Sequence, residues 1–199
     1  MGIPSIVAAE ALIECVAAVV DQDIETDILI IQNGSPVEKV CDQLETMGIS
    51  IHRPGVNLGC SGAWNVACKW AWERGHDKIM LLNDDFIIKD RGGLRKIEEA
   101  IEVDSNAHYH FQGFTSACIR KELWDMVGEF DEGFYPAYFE DNDYYTRSVL
   151  LGIDWKIVEI EKMHYGSLSA RSSSYLSMIN SRTFPMNQNR YVAKWGGPP

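Results

Sequence analysis

The chain is short of positive charge, of long apolar runs and of paired cysteines, and each shortage closes off a class of function. Eighteen Lys and Arg stand against 29 Asp and Glu, a net charge of −11 over 199 residues. Such a surface repels phosphate backbones, so strong nonspecific nucleic-acid binding is not expected. No stretch approaches the roughly 18 apolar residues a membrane span requires, and the start lacks the basic region of a signal peptide. The expectation is a soluble, cytoplasmic protein without a transmembrane segment. The five cysteines, Cys15, Cys41, Cys60, Cys68 and Cys118, are odd in number and set mostly in apolar patterns. They read as reduced core thiols and not as a disulfide frame. No segment repeats, and the length suits one domain, or one with an appendage, able to bury a real core.

What is present is an apolar run that stops abruptly. Lys78-Ile79-Met80-Leu81-Leu82 shows no polar alternation, as expected of a strand covered on both faces, and it ends on Asn83-Asp84-Asp85. In open α/β sheets, ligands gather beyond the carboxyl ends of such strands. Two carboxylates there call for a cation or hydrogen-bond donors, and a hard divalent metal would serve. An ordinary turn that caps the next segment would use the same residues.

The rest of the chain alternates. Ile6 to Gln22 has helical spacing, Asp27 to Gln32 reads as a buried strand, and Ser35-Pro36-Val37-Glu38 has the pattern of a capped helix start, stopped by Gly48. Ile49 to Arg53 reads as a short strand. Ser61 to Arg74 reads as a helix whose Trp64 and Trp70 serve packing. Helices are further expected over Gly93–Val103 and Lys121–Val127, and strands over His108–Gln112, Thr115–Ile119 and Trp155–Ile160, with His108 and His110 structural. The order predicts an α/β fold, with a mostly parallel central sheet flanked by helices. The first strand, at Ile3-Pro4, is either very short or lost. After His164 comes a polar tail, Ser167 to Ser177 and Arg182 to Lys194, in which Ser172-Ser173-Ser174 suggests a loop. Its basic residues Arg182, Arg190 and Lys194 suit either a lid over a diphosphate or a solvated face.

A second acidic cluster follows a long aromatic loop, Gly128 to Pro136, of a length that is often functional. Glu140, Asp141 and Asp143 crowd three carboxylates at a helix start. The helix dipole alone would favour acids there. Crowding would also raise the proton affinity of one of them, as a general base requires.

Taken in order, Asn33-Gly34-Ser35, Asn57-x-Gly59 with Asn65 beyond, Leu82-Asn83-Asp84-Asp85, Phe130-Asp131-Glu132 with Phe139-Glu140-Asp141, and His164 resemble the motifs of family 2 glycosyltransferases. The ending Lys194-Trp195-Gly196-Gly197 is similar to those of short bacterial or phage members. The resemblance covers about Ile3 to His164. It implies a single GT-A (Rossmann-like) domain over 1–166 and a C-terminal extension, tail or lid, over 167–199. It implies that Pro4, Gln32, Asn33 and Ser35 line a nucleotide-sugar site, with Asn57 and Gly59 in the loop against it and Asn65 supporting that loop. It further implies that Asn83 and Asp84 face the donor, that Asp85 and His164 hold Mn²⁺ or Mg²⁺, and that Asp141, beside Glu140, is the base. The family usually carries Asp where Gln32 stands and an acid where Asn83 stands. The implied activity is inverting transfer from a nucleotide-diphosphate sugar, a UDP-sugar foremost, to the hydroxyl of an unknown acceptor. Two alternatives stay open. A sugar-phosphate nucleotidyltransferase would want a Gly-rich basic loop that Ile3 to Glu10 does not offer. A non-catalytic nucleotide-sugar-binding module draws support from Gln32 and Asn83.

Overall fold

A computed structural model describes residues 1–166, 168 and 173–199. Four parallel strands form one half of a seven-stranded sheet: β1 (Gly2–Ser5), β2 (Leu29–Gln32), β3 (Ser50–His52) and β4 (Lys78–Leu82). The apolar run of β4 forms as expected, and its two faces go to different cores. Ile79 and Leu81 join one cluster, Met80 and Leu82 the other. Full burial of each such side chain contributes about 2 kcal/mol.

A short antiparallel pairing of strands distant in sequence, absent from the sequence expectations, follows. β5 (Phe86–Ile88) lies antiparallel to β9 (Lys162–His164) in a separate two-stranded sheet. The main sheet is completed by β6 (Ala107–His110), β7 (Ser116–Arg120) and β8 (Asp154–Ile157), in the order β3-β2-β1-β4-β7-β6-β8. Only β7 runs against the rest, so the mostly parallel sheet stands.

Helices cover both faces. α1 (Ala9–Val20), α2 (Glu38–Thr46) and α4 (Gly93–Val103) pack one side through Leu12, Val16, Cys41, Leu44 and Ile97. On the other side, α3 (Gly59–Glu73), α5 (Lys121–Val127) and α6 (Glu140–Leu150) enclose Trp64, Trp124, Phe130 and Tyr144. The helix expected from Ser35 opens instead as a 3-10 turn, Ser35–Val37, and α2 begins at Glu38 with Val37 in the capping position. Gly48 ends it with φ +90°, the left-handed conformation glycine adopts without cost.

The first strand is very short but not lost. β1 sits inside the sheet, bonded to β2 and β4, although Pro4 can donate no ladder hydrogen bond. Part of the polar tail also departs from expectation. Residues 174–195 form α7 (Ser174–Trp195), a 22-residue helix with Pro185 inside it. Tyr191 of this helix packs with Phe134 and Phe139, and Ser173 caps it by accepting the Leu176 N–H. Ser167 and Ser172, and with them the expected boundary at 166/167, lie outside the described residues or at their edge. Among the described residues no helix is long and apolar enough to cross a membrane.

Candidate active site

Between β1 and β4 the strand order reverses direction, and this switch point is where open α/β sheets bind ligands. Ser5 ends β1 and Asn83-Asp84-Asp85 follow β4. Across the gap the Ser5 hydroxyl donates to Asp84 Oδ2 at 2.5 Å. Burial raises the Asp84 carboxyl to about 7. The charge of Asp85 adds to the rise and the Ser5 hydrogen bond opposes it. Nothing in the sequence singled out Ser5; its partner becomes visible only once β1 and β4 lie side by side.

Asp85 and His164 are brought together by the β5–β9 pairing, in which Phe86 stands opposite His164. His164 Nε2 lies 3.2 Å from Asp85 Oδ1. Yet it has no hydrogen-bonded partner among the described residues. The other ring nitrogen, Nδ1, lies 3.3 Å from Gln112 Nε2. Asp85 Oδ2 accepts the N–H of Leu168 at 3.1 Å. A buried imidazole nitrogen and a carboxylate oxygen, close but not bonded to each other, fit the donor set of a divalent cation. Among the described residues no cluster of three or more His, Cys, Asp or Glu could hold a metal. Two protein ligands completed by phosphate oxygens and water is how Mg²⁺ is commonly held at phosphate sites, and an imidazole–carboxylate pair also suits Mn²⁺.

A cavity of about 180 Å³ reaches Asp85 of this pair, bordered by Pro4, Ser5, Asn33, Asn57, Gly59 and Cys60, by Asn83, Asp84 and Asp85, and by Leu176 and Asn180 of α7. Asn33 has its side chain fully engaged, donating to Gly59 O and accepting from Leu58 N at 3.1 Å each, so it fixes the 57–59 loop. Asn57 Oδ1 accepts the Gly59 N–H at 2.8 Å. Gly59 has φ +70°, and a Cβ there would meet Pro136 O at 2.7 Å, which explains why a glycine stands at this close approach. Gln32 closes β2 opposite Ser5, with a buried Oε1 that has no partner among the described residues. Ser35 lies in the 3-10 turn. Asn65 does not border the cavity. Inside α3 it clamps the next loop, donating to Phe130 O and Glu132 Oε1 and accepting from Phe130 N. A second cavity of similar size, at the amino ends of the strands against Met1 and Lys78, holds none of the motif residues.

Glu140 and Asp141 open α6. Glu140 is 4% exposed, its Oε2 unpartnered among the described residues. Burial first, then the Asp141 charge, pushes its carboxyl to about 8. Asp141 is also raised, by burial, against the pull of the Asn142 N–H. Cys60 joins the two acidic groups. It borders the cavity with Asp84 and Asp85, and its thiol is raised by burial and then by Glu140 and Asp141, with a contribution from Asp84. Asp143, by contrast, turns into the structure. It is fully buried and meets Arg147 at 2.9 Å, Lys194 at 2.7 Å and the Trp195 indole at 2.9 Å. Lys194 and Arg190 also pair with Asp131, so these two basic residues are engaged at the base of α7.

The sequence matches Glycosyl transferase family 2 over residues 2–151. This chain belongs to that family. Its fold is the GT-A fold of glycosyltransferases. Solved structures of similar fold include the mannosyltransferase PcManGT from Pyrobaculum calidifontis in complex with GDP-Man and Mn²⁺, at a TM-score of 0.72 and 12% identity, covering 99% of this chain and 64% of that one. S. aureus TarS aligns at a TM-score of 0.63 and 12% identity, covering 78% of this chain and 36% of TarS. TarS 1-349 in complex with UDP aligns at 0.60 and 11% identity, covering 74% and 54%. The chain therefore spans less than two thirds of the length of each of these structures. No curated protein matches the sequence.

Proposed function

We propose that this family 2 domain transfers a sugar, with inversion, from a nucleotide-diphosphate sugar to an acceptor hydroxyl. The observation that carries the reading is the facing of Asp85 Oδ1 and His164 Nε2 at 3.2 Å without a bond between them. They stand at the switch point, one thiol away from a second acid pair. PcManGT with GDP-Man and Mn²⁺, and TarS 1-349 with UDP, support a nucleotide-sugar donor.

In this reading residues 1–166 hold the donor and 167–199 cover it. Asp85 and His164 hold Mn²⁺ or Mg²⁺, which when bound neutralises charge on the departing diphosphate. Ser5 and Asp84 tie the ends of β1 and β4 together beneath the phosphates. Gln32 offers an unpaired carbonyl at the end of β2 for the base, and Asn33 and Asn57 hold the Gly59 loop against the nucleotide. The cavity is smaller than the roughly 300–1,000 Å³ of ordinary ligand pockets, so donor entry moves Leu176 and Asn180 outward. Asp141 accepts the proton of the acceptor hydroxyl as that oxygen bonds to the anomeric carbon. The bond from that carbon to the diphosphate breaks, and the diphosphate leaves with its electron pair. Protonated Glu140 adds no charge beside the Asp141 carboxylate.

Incubation with UDP-, GDP- and dTDP-sugars, Mn²⁺ and a mixture of acceptors, scored for released nucleotide, tests this. Release that falls about 10²–10⁴-fold in Asp141→Asn supports a general base. Donor binding without release in any combination would instead identify a binding module.

A further inference from the structure

We propose that the acceptor is a neutral saccharide and that one face of it stacks on an aromatic ledge formed by Tyr138 and Phe184. This deepens the sugar-transfer reading above and rests on it. Tyr138 and Phe184 come from different elements, the loop before α6 and the middle of α7, yet meet edge-on with ring centroids 5.3 Å apart. Both remain open to solvent, at 36% and 42% exposure. Phe184 rests at 5.1 Å on Phe139, which is buried and backed by Tyr191. Phe184 is thus propped from one side while both rings keep part of their surface uncovered, and Ala137, next to Tyr138, borders the cavity; uncovered apolar surface beside a cleft is typical of ligand grooves.

The backbone beneath the ledge is held against its own preference. Tyr138 and Phe139 have φ of 75° and 74°, a conformation costly for side chains of this size. Asn187 of α7 secures it, with an amide donating to the carbonyls of Ala137 at 2.9 Å, Tyr138 at 3.3 Å and Tyr135 at 3.4 Å. Strain secured in this way collects at functional sites. Here it aims the Tyr138 ring while leading the chain directly into Glu140 and Asp141. The Tyr138 phenol is shifted upward by burial and then by the charges of Cys60 and Glu140.

The chemistry of the surroundings selects the ligand. A pyranose offers weakly positive C–H groups to the negative face of a ring, and hydroxyls to carboxylates. The carboxylates of Asp85 and Asp141 stand in the site of a chain of net charge −11. Arg190 and Lys194 of α7 are committed to Asp131 and Asp143. An anionic acceptor would meet repulsion, whereas a neutral sugar would not.

Saturation-transfer NMR on the full chain tests the assignment, with the methyl glycosides of glucose, galactose and mannose, glucuronic acid and octyl glucoside as probes. At least one methyl glycoside should show transfer to its ring C–H protons. Phe184→Ala and Tyr138→Ala should each weaken that binding about fivefold, and glucuronic acid should bind less well. UDP and GDP binding with Mn²⁺, retained in Phe184→Ala, reports that the donor site is intact. Three results would each overturn the ledge: no methyl glycoside signal from a chain that binds nucleotide, signals unchanged in both variants, or signal from the octyl chain alone. Loss of nucleotide binding with glycoside binding intact would instead remove the transfer reading and leave a saccharide site.

Discussion

Replacing Glu140 by Gln should stabilise the fold at alkaline pH and leave it nearly unchanged in acid. The folded carboxyl lies at about 8 against an ordinary 4.5, because burial disfavours its charge and Asp141 adds to the effect. Between those values the folded chain keeps a proton that the unfolded chain has released, so stability falls as pH rises through the window and levels off above about 8. At 1.36 kcal/mol per unit, a rise from 4.5 to about 8 sets a ceiling of roughly 5 kcal/mol on the loss. Gln keeps the shape and carries no charge to desolvate. The assay is urea unfolding of both proteins at a series of pH values from 4.5 to 9, read as the difference in stability between variant and parent. That difference cancels other titrating groups, among them His108, whose pKa burial lowers to about 3. The variant should gain steadily by several kcal/mol from pH 5 to pH 8. A difference that stays flat would mean that Glu140 is charged and stabilised in the fold, and the reasoning about its environment would be refuted.

Gly59→Ala should lower thermal stability by at least about 1–2 kcal/mol, the cost of a side chain at positive φ, and weaken nucleotide binding, because its Cβ would push on Pro136 O; unfolding and nucleotide titration on one sample check both. Asn65→Ala strips two backbone groups of Phe130 and the Glu132 carboxylate of their partners, and chemical denaturation should register a loss of about 2–4 kcal/mol. In the proposed mechanism the carboxylate of Asp141 is the active form, and its pKa is raised, so kcat/KM should climb with pH through a limb displaced above the ordinary aspartate range. A profile with no acid limb in the parent would count against Asp141 as the base.

How much of this was legible beforehand differs from one element to the next. β4 was readable because four consecutive apolar residues can be buried only if both faces are covered, and its side chains do divide between the two cores. The acids at 84–85 were readable as the abrupt end of a buried run and those at 140–141 from their crowding at a helix start, although a turn or a helix dipole would use the same residues. β1 was not readable in full. Gly2, Pro4 and Ser5 have turn-like preferences, and the strand exists because β2 and β4 pair with it from both sides. The β5–β9 pairing was hidden by its three-residue strands and by the 77 positions between Phe86 and its partner His164, so the contact of His164 with Asp85 came from resemblance and not from pattern. α7 mixes Ser, Asn and Thr with an internal proline, a composition poor in helix formers. Its order comes from tertiary contacts through Asn187, Tyr191, Arg190 and Lys194. Ser5 and Cys60 became site residues only through the fold.

The central claim is that Asp85 and His164 together hold a cation that carries the donor diphosphate. Calorimetric titration of UDP and GDP with Mn²⁺, and then with a chelator, tests it most directly on the parent chain and on Asp85→Asn and His164→Ala. At least one nucleotide should bind with Mn²⁺, bind at least about tenfold more weakly in each variant, and lose that advantage when the metal is removed. Equal affinity with and without chelator, or in parent and variants alike, would contradict it.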